Sequence, residues 1–374
     1  MVGETAPHGY FSELEKRGGS HNLSKEIARI NSQCEASGVT PYYTLNHISK
    51  SCGIPYRKLR SFIFDTKQWY TIRTIPKHSG GTRELHVPNT SLADVQRYIL
   101  RRCLPVGQTS PISYAYTSQL GVRDAASKHV GAKTVIQVDL KGFFGGIASK
   151  SIYDIFLALG YPELLSFELS MLTTFGVRPL KPLSNGRPYS GPGRRFLPQG
   201  APTSGSLSNF RMKHFDSRLS KFALDQMLQV TRYADDITFS SSKHLSSNSI
   251  NSTINFVSAM AHESGFRLNC SKTNVLRKKE VFRILGLNVS ATGLDLPRPY
   301  KKRIENTLYA AEKFGVGSCA RFHGFTTELE LIAHLEGHVA FARSICPNWA
   351  NNVSQRLDSL GVPRLNTYAL AKTC

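Results

Sequence analysis

Asp235 and Asp236 stand side by side in the run Arg232-Tyr233-Ala234-Asp235-Asp236-Ile237-Thr238-Phe239-Ser240. Leu228-Gln229-Val230-Thr231 precedes them and Ile237-Thr238-Phe239 follows, so the spacing predicts a β-hairpin with both carboxylates at its tip. Adjacent like charges repel and resist burial, so a positive partner has to offset them. A divalent metal that prefers hard oxygen ligands meets that need. For such a pair taken alone, a solvated Asp-Asp turn is the plain alternative. A third carboxylate changes the balance. Residues 134–140 (Thr-Val-Ile-Gln-Val-Asp-Leu) read as a buried strand ending at Asp139, far upstream in the chain. Asp139 can therefore join the pair only through tertiary structure. Three carboxylates so gathered suit a two-metal site, with ions about 3.5–4 Å apart clamping the attacking and leaving oxygens of an in-line displacement. That geometry fits a triphosphate, where a protein mostly positions groups and neutralises charge.

The elements that must position these residues belong to a folded, basic chain. At 374 residues it is long enough for two or three subdomains with a proper core. Lys and Arg number 47 against 26 Asp and Glu, a net +21, while 40% of residues are hydrophobic. The excess charge of a folded protein lies on its surface, where it most naturally serves a polyanion. No apolar run approaches membrane-spanning length and no signal peptide is visible, which disfavours a membrane role. Seven scattered cysteines form no Cys-x-x-Cys pair, the pattern of reduced thiols in a cytoplasm and not of zinc or a disulfide framework.

Along the chain, a helix is predicted over 25–35. Between 42 and 74, aromatic and basic residues interleave as in stacking and phosphate contact, although aromatic core packing accounts for part of this equally well. Residues 75–85 read as a hairpin with a Gly-Gly turn that carries Lys77 and Arg83 on its two arms. Ser91, with Asp94 three residues later, reads as a helix cap, followed by Leu92, Val95 and Ile99 on one face. A helix is predicted over 151–159 with Gly160 as its stop. Residues 177–196, rich in Pro, Gly and Lys/Arg, read as a basic loop or extended hairpin. Leu207, Phe210, His214 and Phe222 mark a helix leading into the Asp-Asp hairpin, and Ile250, Ile254 and Val257 mark another that ends near Gly265. Short strands are predicted at 266–269 and 281–289, and helices from Pro299 onward.

Four motifs in a fixed order carry a resemblance. Asp139-Leu140-Lys141-Gly142-Phe143-Phe144 comes first, followed by Leu197-Pro198-Gln199-Gly200-Ala201-Pro202-Thr203-Ser204. Tyr233-Ala234-Asp235-Asp236 and Ile284-Leu285-Gly286-Leu287 complete the series. Any one alone is weak; the order and spacing together resemble the reverse transcriptases of the retron type over roughly residues 70–350. Asp124-Ala125-Ala126-Ser127-Lys128-His129 is similar to the retron Asn-Ala-x-x-His element, and Ala291-Thr292-Gly293 to its Val-Thr-Gly element. The chain departs from the family with Asp124 for Asn, Ala291 for Val, Gly205 for the Pro after Thr-Ser, and glycines at 142, 145 and 146 in a stretch commonly Asp-Phe-Phe-Pro-Ser.

The resemblance implies an α+β right-hand polymerase: an N-terminal extension (1–40), fingers (41–132), an antiparallel-sheet palm (133–298, with the basic loop 177–196) and a helical thumb and tail (299–374). Asp139, Asp235 and Asp236, with Leu140 beside them, would hold two Mg²⁺, for which Mn²⁺ could substitute. Because neighbouring side chains on a strand face opposite ways, Asp236 would contribute less directly than Asp235. Lys77 and Arg83 would close on the triphosphate, Phe144 would exclude a 2′-hydroxyl, Gln199 would seat the nucleotide and Lys272 would act on the pyrophosphate. A core phenylalanine and a surface lysine are the plain alternatives for Phe144 and Lys272. Ile284, Leu285, Gly286 and Leu287 would grip the primer. His129, like Thr292 and Gly293, carries the resemblance; a satisfied structural histidine is its plain reading. The implied partners are deoxynucleotides, a structured non-coding RNA that is template and primer, its DNA product, and an effector protein of a phage-defence system. A group II intron-like reverse transcriptase and a non-catalytic RNA-binding scaffold are the rival readings.

Overall fold

The computed structural model describes residues 21–76, 81–107, 110–176, 195–277 and 280–362. Helices α1 (His21–Ala36), α2 (Leu45–Cys52) and α3 (Tyr56–Phe64) lead into a hairpin of β1 (Tyr70–Pro76) and β2 (Thr82–Pro88). This ribbon is exposed over most of its length and buried only near its base, at Tyr70, His86 and Pro88. Lys77 and part of the predicted Gly-Gly turn lie outside the described residues.

α4 (Thr90–Arg102) follows, and its N-cap is Asn89 instead of the expected Ser91. Asn89 has extended backbone and its side-chain oxygen accepts from Leu92 N at 2.9 Å. Ser91 Oγ accepts from Lys58 Nζ, tying α4 to α3. α5 (Val122–Ser127) then precedes β3 (Thr134–Asp139), which is buried at nearly every position. One helical turn, α6 (Phe143–Gly146), leads to α7 (Ser149–Ala158) and to α8 (Glu163–Thr173), itself almost wholly buried. A short pair, β4 (Phe175–Gly176) and β5 (Arg195–Phe196), brackets the predicted basic loop, of which 177–194 lies outside the described residues.

The long α9 (Ser204–Asp225) delivers the chain to β6 (Gln229–Tyr233) and β7 (Asp236–Ser241), the expected hairpin. After α10 (Ser247–Glu263), the predicted strand at 266–269 is only an isolated bridge between Leu268 and Leu140. The true strand is β8 (Asn274–Arg277), reached through a 3-10 turn, Cys270–Lys272. The resulting antiparallel sheet has the order β6-β7-β3-β8, with β3 in the interior. The predicted strand at 281–289 is instead a hairpin of β9 (Val281–Ile284) and β10 (Leu287–Ser290), extended by β11 (Leu294–Asp295). Helices α11 (Arg298–Phe314), α12 (Val316–Phe322), α13 (Glu328–Arg343) and α14 (Pro347–Asp358) close the described chain.

Two apolar cores result. The larger runs from Ile30 to Phe266 and packs the four-stranded sheet against α7, α8, α9 and α10. The second joins Ala126, Val135 and the β9–β11 residues to α11 through α14, so that hairpin shares its interior with the C-terminal helices. Cys34 and Cys103 are buried thiols whose pKa burial pushes up to about 12, and the described cysteines are free. Among the described residues, no helix is long and apolar enough to cross a membrane.

Candidate active site

The sheet register brings the three carboxylates together. β3 pairs with β7 so that Asp139 faces Asp236 across the ladder, and Leu140 N donates to Asp235 O at 3.1 Å. Asp235 sits in the two-residue turn that joins β6 to β7, with Ala234 in the left-handed region at φ 58°. Asp139 is 4% exposed, Asp235 half-buried and Asp236 exposed. Burial, followed by the charge of Asp139, pushes the Asp235 carboxyl above its ordinary range. Asp236 is crowded too: desolvation, then Asp235 and Asp139, push it up to about 6. Such mutual repulsion favours a positive charge placed beside them.

Asp139 and Asp235 line one cleft of about 770 Å³, shared with Arg83, Phe144, Gln199 and Lys272. Asp236 instead faces a neighbouring hollow with Asp139, Lys272 and Leu285. Turn and strand thus aim adjacent carboxylates to different sides. Lys272 Nζ donates to Asp139 Oδ2 at 2.8 Å and Asn269 Nδ2 to Oδ1 at 3.0 Å; the first contact holds the lysine pKa above its ordinary value. Among the described residues, no group of three or more His, Cys, Asp or Glu side chains is placed to hold a metal ion by itself. The donor set nonetheless fits Mg²⁺, which takes one or two carboxylates and completes its shell with water and substrate phosphate.

Phe144 is half-buried in the cleft wall, whereas Phe143 is 3% exposed and belongs to the core. Leu140 also lines the cleft, but its side chain is buried, leaving its backbone as the part that can face a ligand. Gln199 O accepts from His86 N at 2.8 Å, which joins the Gln199 loop to the base of the β1–β2 ribbon. The His86 ring is wedged beside Phe175 and Phe196, and its Nδ1 has no hydrogen-bond partner.

The reverse transcriptases (RNA-dependent DNA polymerases) match residues 75–289. A retron reverse transcriptase of Myxococcus xanthus, Mx162, is 30% identical over 86% of this chain and 68% of its own length. A second from that organism, Mx65, is 27% identical over 89% of this chain and 75% of its own. The chain belongs to the retron-type reverse transcriptases. It is therefore an RNA-directed DNA polymerase with an α+β right-hand polymerase fold. Among solved structures it is similar to telomerase from Candida albicans, at a TM-score of 0.45 and 13% identity, over 81% of this chain and 58% of that one. It thus spans a little over half of that telomerase chain.

One feature of this reverse transcriptase was not singled out from sequence. Arg232, directly before the Tyr-Ala-Asp-Asp run, is fully buried and forms a two-pronged ion pair with the equally buried Asp216 on α9, at 2.6 and 2.7 Å. The same guanidinium donates to Ala234 O at 3.0 Å, Ser113 Oγ at 3.0 Å and Asn209 Oδ1 at 3.1 Å. The turn that presents Asp235 is thereby fastened to α9 and to the segment around residue 113. The signal available in sequence was an arginine inside a short strand that leads into the Tyr-Ala-Asp-Asp run, with Asp216 next to Phe215 on a helix whose neighbouring Met212 and Leu219 are apolar.

The residues expected to hold a primer form the β9–β10 turn. Ile284 and Leu287 are buried, while Leu285 and Gly286 both have positive φ, 49° and 84°, as a type I′ turn requires. Leu285 lines the hollow beside Asp236. In the retron-like elements, Asp124 Oδ2 accepts from Gly121 N, which starts α5. His129 is 1% exposed; its ring nitrogens meet Ser240 Oγ and Thr231 Oγ1, each at 2.7 Å, and burial pushes its pKa down to about 4. It is a neutral peg across β6 and β7, the satisfied histidine of the plain reading. Thr292 Oγ1 meets Ser290 Oγ, Ser290 N donates to Gly293 O, and Gly131 N donates to Ser290 O. The residues just after the first element and just before the second are therefore joined by a backbone hydrogen bond.

Proposed function

We propose that this reverse transcriptase copies part of a structured non-coding RNA into single-stranded DNA, starting from a guanosine 2′-hydroxyl of the same RNA, in the cytoplasm. The observation that carries the polymerase chemistry is the gathering of Asp139, Asp235 and Asp236 at one end of the sheet, beside a cleft that also holds Arg83 and Phe144. The retron-specific part rests on the similarity to retron enzymes over most of the chain. A role in phage defence with an effector protein extends from the same resemblance. In domain terms, residues 41–132 serve as fingers, 133–298 as palm and 299–374 as thumb and tail, after an extension over 1–40.

In this reading Asp139 and Asp235, with the Leu140 backbone and Asp236 nearby, would hold two Mg²⁺. Bound there, such ions would supply Lewis-acid activation of the primer hydroxyl and charge for the phosphates. The chain's own groups do the rest. Arg83, with Lys77 on the other arm of the ribbon, contacts the triphosphate. Gln199 seats the nucleotide, and residues 284–287 hold the primer end. The hydroxyl gives up its proton to solvent as its oxygen bonds to the α-phosphorus, the bond from that phosphorus to the bridging oxygen breaks, and pyrophosphate leaves with the bridging oxygen's electron pair. Lys272, kept protonated by Asp139, swings to the departing pyrophosphate and neutralises or protonates it.

Phe144 presses on the sugar in this arrangement. Phe144→Ala is expected to raise ribonucleotide incorporation relative to deoxynucleotide by about 10- to 100-fold, because exclusion of the added hydroxyl is steric. Single-nucleotide competition on a primed RNA measures it, and an unchanged ratio would remove Phe144 from this role.

The priming proposal predicts that cells carrying the chain with its native flanking DNA accumulate short single-stranded DNA joined covalently to RNA. Holding the priming hydroxyl inside a folded RNA makes initiation effectively unimolecular. Nucleic acid treated with RNase should then shift in mobility on addition of a 2′,5′-debranching enzyme, and the species should vanish with Asp235→Asn. Product extended only from ordinary 3′-hydroxyl primers would leave the polymerase and remove the 2′ priming.

A further inference from the structure

Gly205, at the start of α9, sits under an aromatic ring. A Cβ at this position would press on Tyr116 Cγ and lie 2.5 Å from its Cδ1 and 2.8 Å from its Cβ. Such separations are too short for real atoms, so the glycine is a notch into which Tyr116 is seated. Tyr116 itself has φ 56°, a conformation a bulky residue takes only when its surroundings impose it. The surroundings are explicit. Arg232 N donates to Ile112 O and Tyr114 N to Arg232 O, so residues 112–114 run along β6. Ser113 Oγ donates to Asn209 Oδ1, and Asn209 Nδ2 to Ala115 O at 2.7 Å. The chain is fastened to β6 and α9 up to the residue before Tyr116.

The ring so held meets Phe144 edge-on, with centroids 6.0 Å apart and planes at 64°. Phe144 also meets the core ring Phe143 at 5.3 Å. The backbone around Phe144 offers little support of its own: α6 is a single turn, with Gly142 before it and Gly145 and Gly146 within it. A half-buried ring on such a turn can exclude a hydroxyl only if it cannot yield, since a movable apolar wall discriminates weakly against one added oxygen. Tyr116 is 54% exposed overall, but partial burial of its hydroxyl, then Asp235 and Tyr233, hold that group's pKa up while Arg83 opposes them, which puts its polar end beside the carboxylate centre.

We infer that Tyr116, seated in the Gly205 notch, is a positioning residue that braces Phe144 and thereby sets discrimination against ribonucleotides. This rests on the proposed role of Phe144, and the experiment separates the two. The full chain, on a primed RNA, is assayed for kcat and KM with matched ribo- and deoxynucleotides. Tyr116→Gly removes the ring at a φ that glycine adopts without strain. Gly205→Ala fills the notch at a helical position that favours alanine. Each is expected to raise the ribonucleotide-to-deoxynucleotide ratio of kcat/KM about tenfold, chiefly through the ribonucleotide KM. Tyr116→Phe should keep the wild-type ratio, and the Tyr116→Gly/Gly205→Ala double variant should match Tyr116→Gly alone.

An unchanged ratio in Tyr116→Gly, with a raised one in Phe144→Ala, overturns the brace and leaves the gate. Unchanged ratios in both overturn the gate and the brace together. An equal loss with both nucleotides, or additive effects in the double variant, also overturns the inference, because it signals a merely structural contribution.

Discussion

Asp235→Asn and Asp139→Asn each abolish DNA synthesis, with kcat reduced at least about a thousandfold, while the protein folds and binds RNA as before. Each change removes a charged oxygen donor and keeps the side-chain shape, so electrostatic stabilisation of the displacement is lost without a cavity; one lost stabilising group typically costs about 10²–10³ in rate, and a disabled metal site more. The stability of Asp235→Asn should move the other way. Asp235 is half-buried beside Asp139 and its carboxyl is pushed up by burial and by that charge. Neutralising it relieves the repulsion, so the thermal midpoint is expected to stay level or rise. Primer extension and thermal unfolding on the same preparation check both halves. Near wild-type synthesis in either variant would refute the metal-ligand assignment, and a large drop in midpoint would make the residue structural.

The second large effect concerns the Arg232–Asp216 pair. Asp216→Ala is expected to destabilise the protein by about 3–5 kcal/mol, because it strands a buried guanidinium without its counter-charge. Replacing both partners with well-packed apolar residues of similar volume should cost far less, since the charges themselves are expensive to bury. Yet the double replacement should still lose synthesis. Its apolar side chain at 232 cannot donate to Ala234 O, the bond that steadies the turn carrying Asp235. Chemical denaturation read beside primer extension separates these outcomes. A double variant that is stable and fully active would show that the network serves packing alone. Arg232→Lys should fall short as well, because an ammonium cannot reproduce the planar two-pronged contact.

What could be read from the chain and what could not divides along physical lines. β3 and the β6–β7 hairpin were legible because apolar, β-branched runs ending in acids have few other uses in a fold. The cap of α4 was misassigned because Asn89 and Ser91 are both good caps, and only the backbone shows which one is extended. In the stretch expected to be a strand at 266–269, only Leu268 makes an isolated bridge, to Leu140. The ladder uses Asn274–Arg277 instead, a stretch that pairs on one side only and has no buried positions. The β9–β10 turn was hidden by Leu285, since leucine at positive φ sends no turn signal. Arg232 disappeared among many basic residues, because composition does not reveal which charge is buried. His129 could be named but not explained until its two hydroxyl partners, on different strands, were visible.

The β1–β2 ribbon has a consequence for when the catalytic cleft is complete. Two strands without a third, exposed along most of their length and rooted near Tyr70, His86 and Pro88, have little intrinsic stability. Amide hydrogens on its outer half should exchange with solvent orders of magnitude faster than those of β3, which is flanked on both sides. Arg83 is exposed on that outer half, so under the proposed role of Arg83 a bound nucleotide would also order the arm that contacts it. Part of the binding free energy is then spent on folding the ribbon, and measured affinity for a nucleotide understates the strength of its individual contacts.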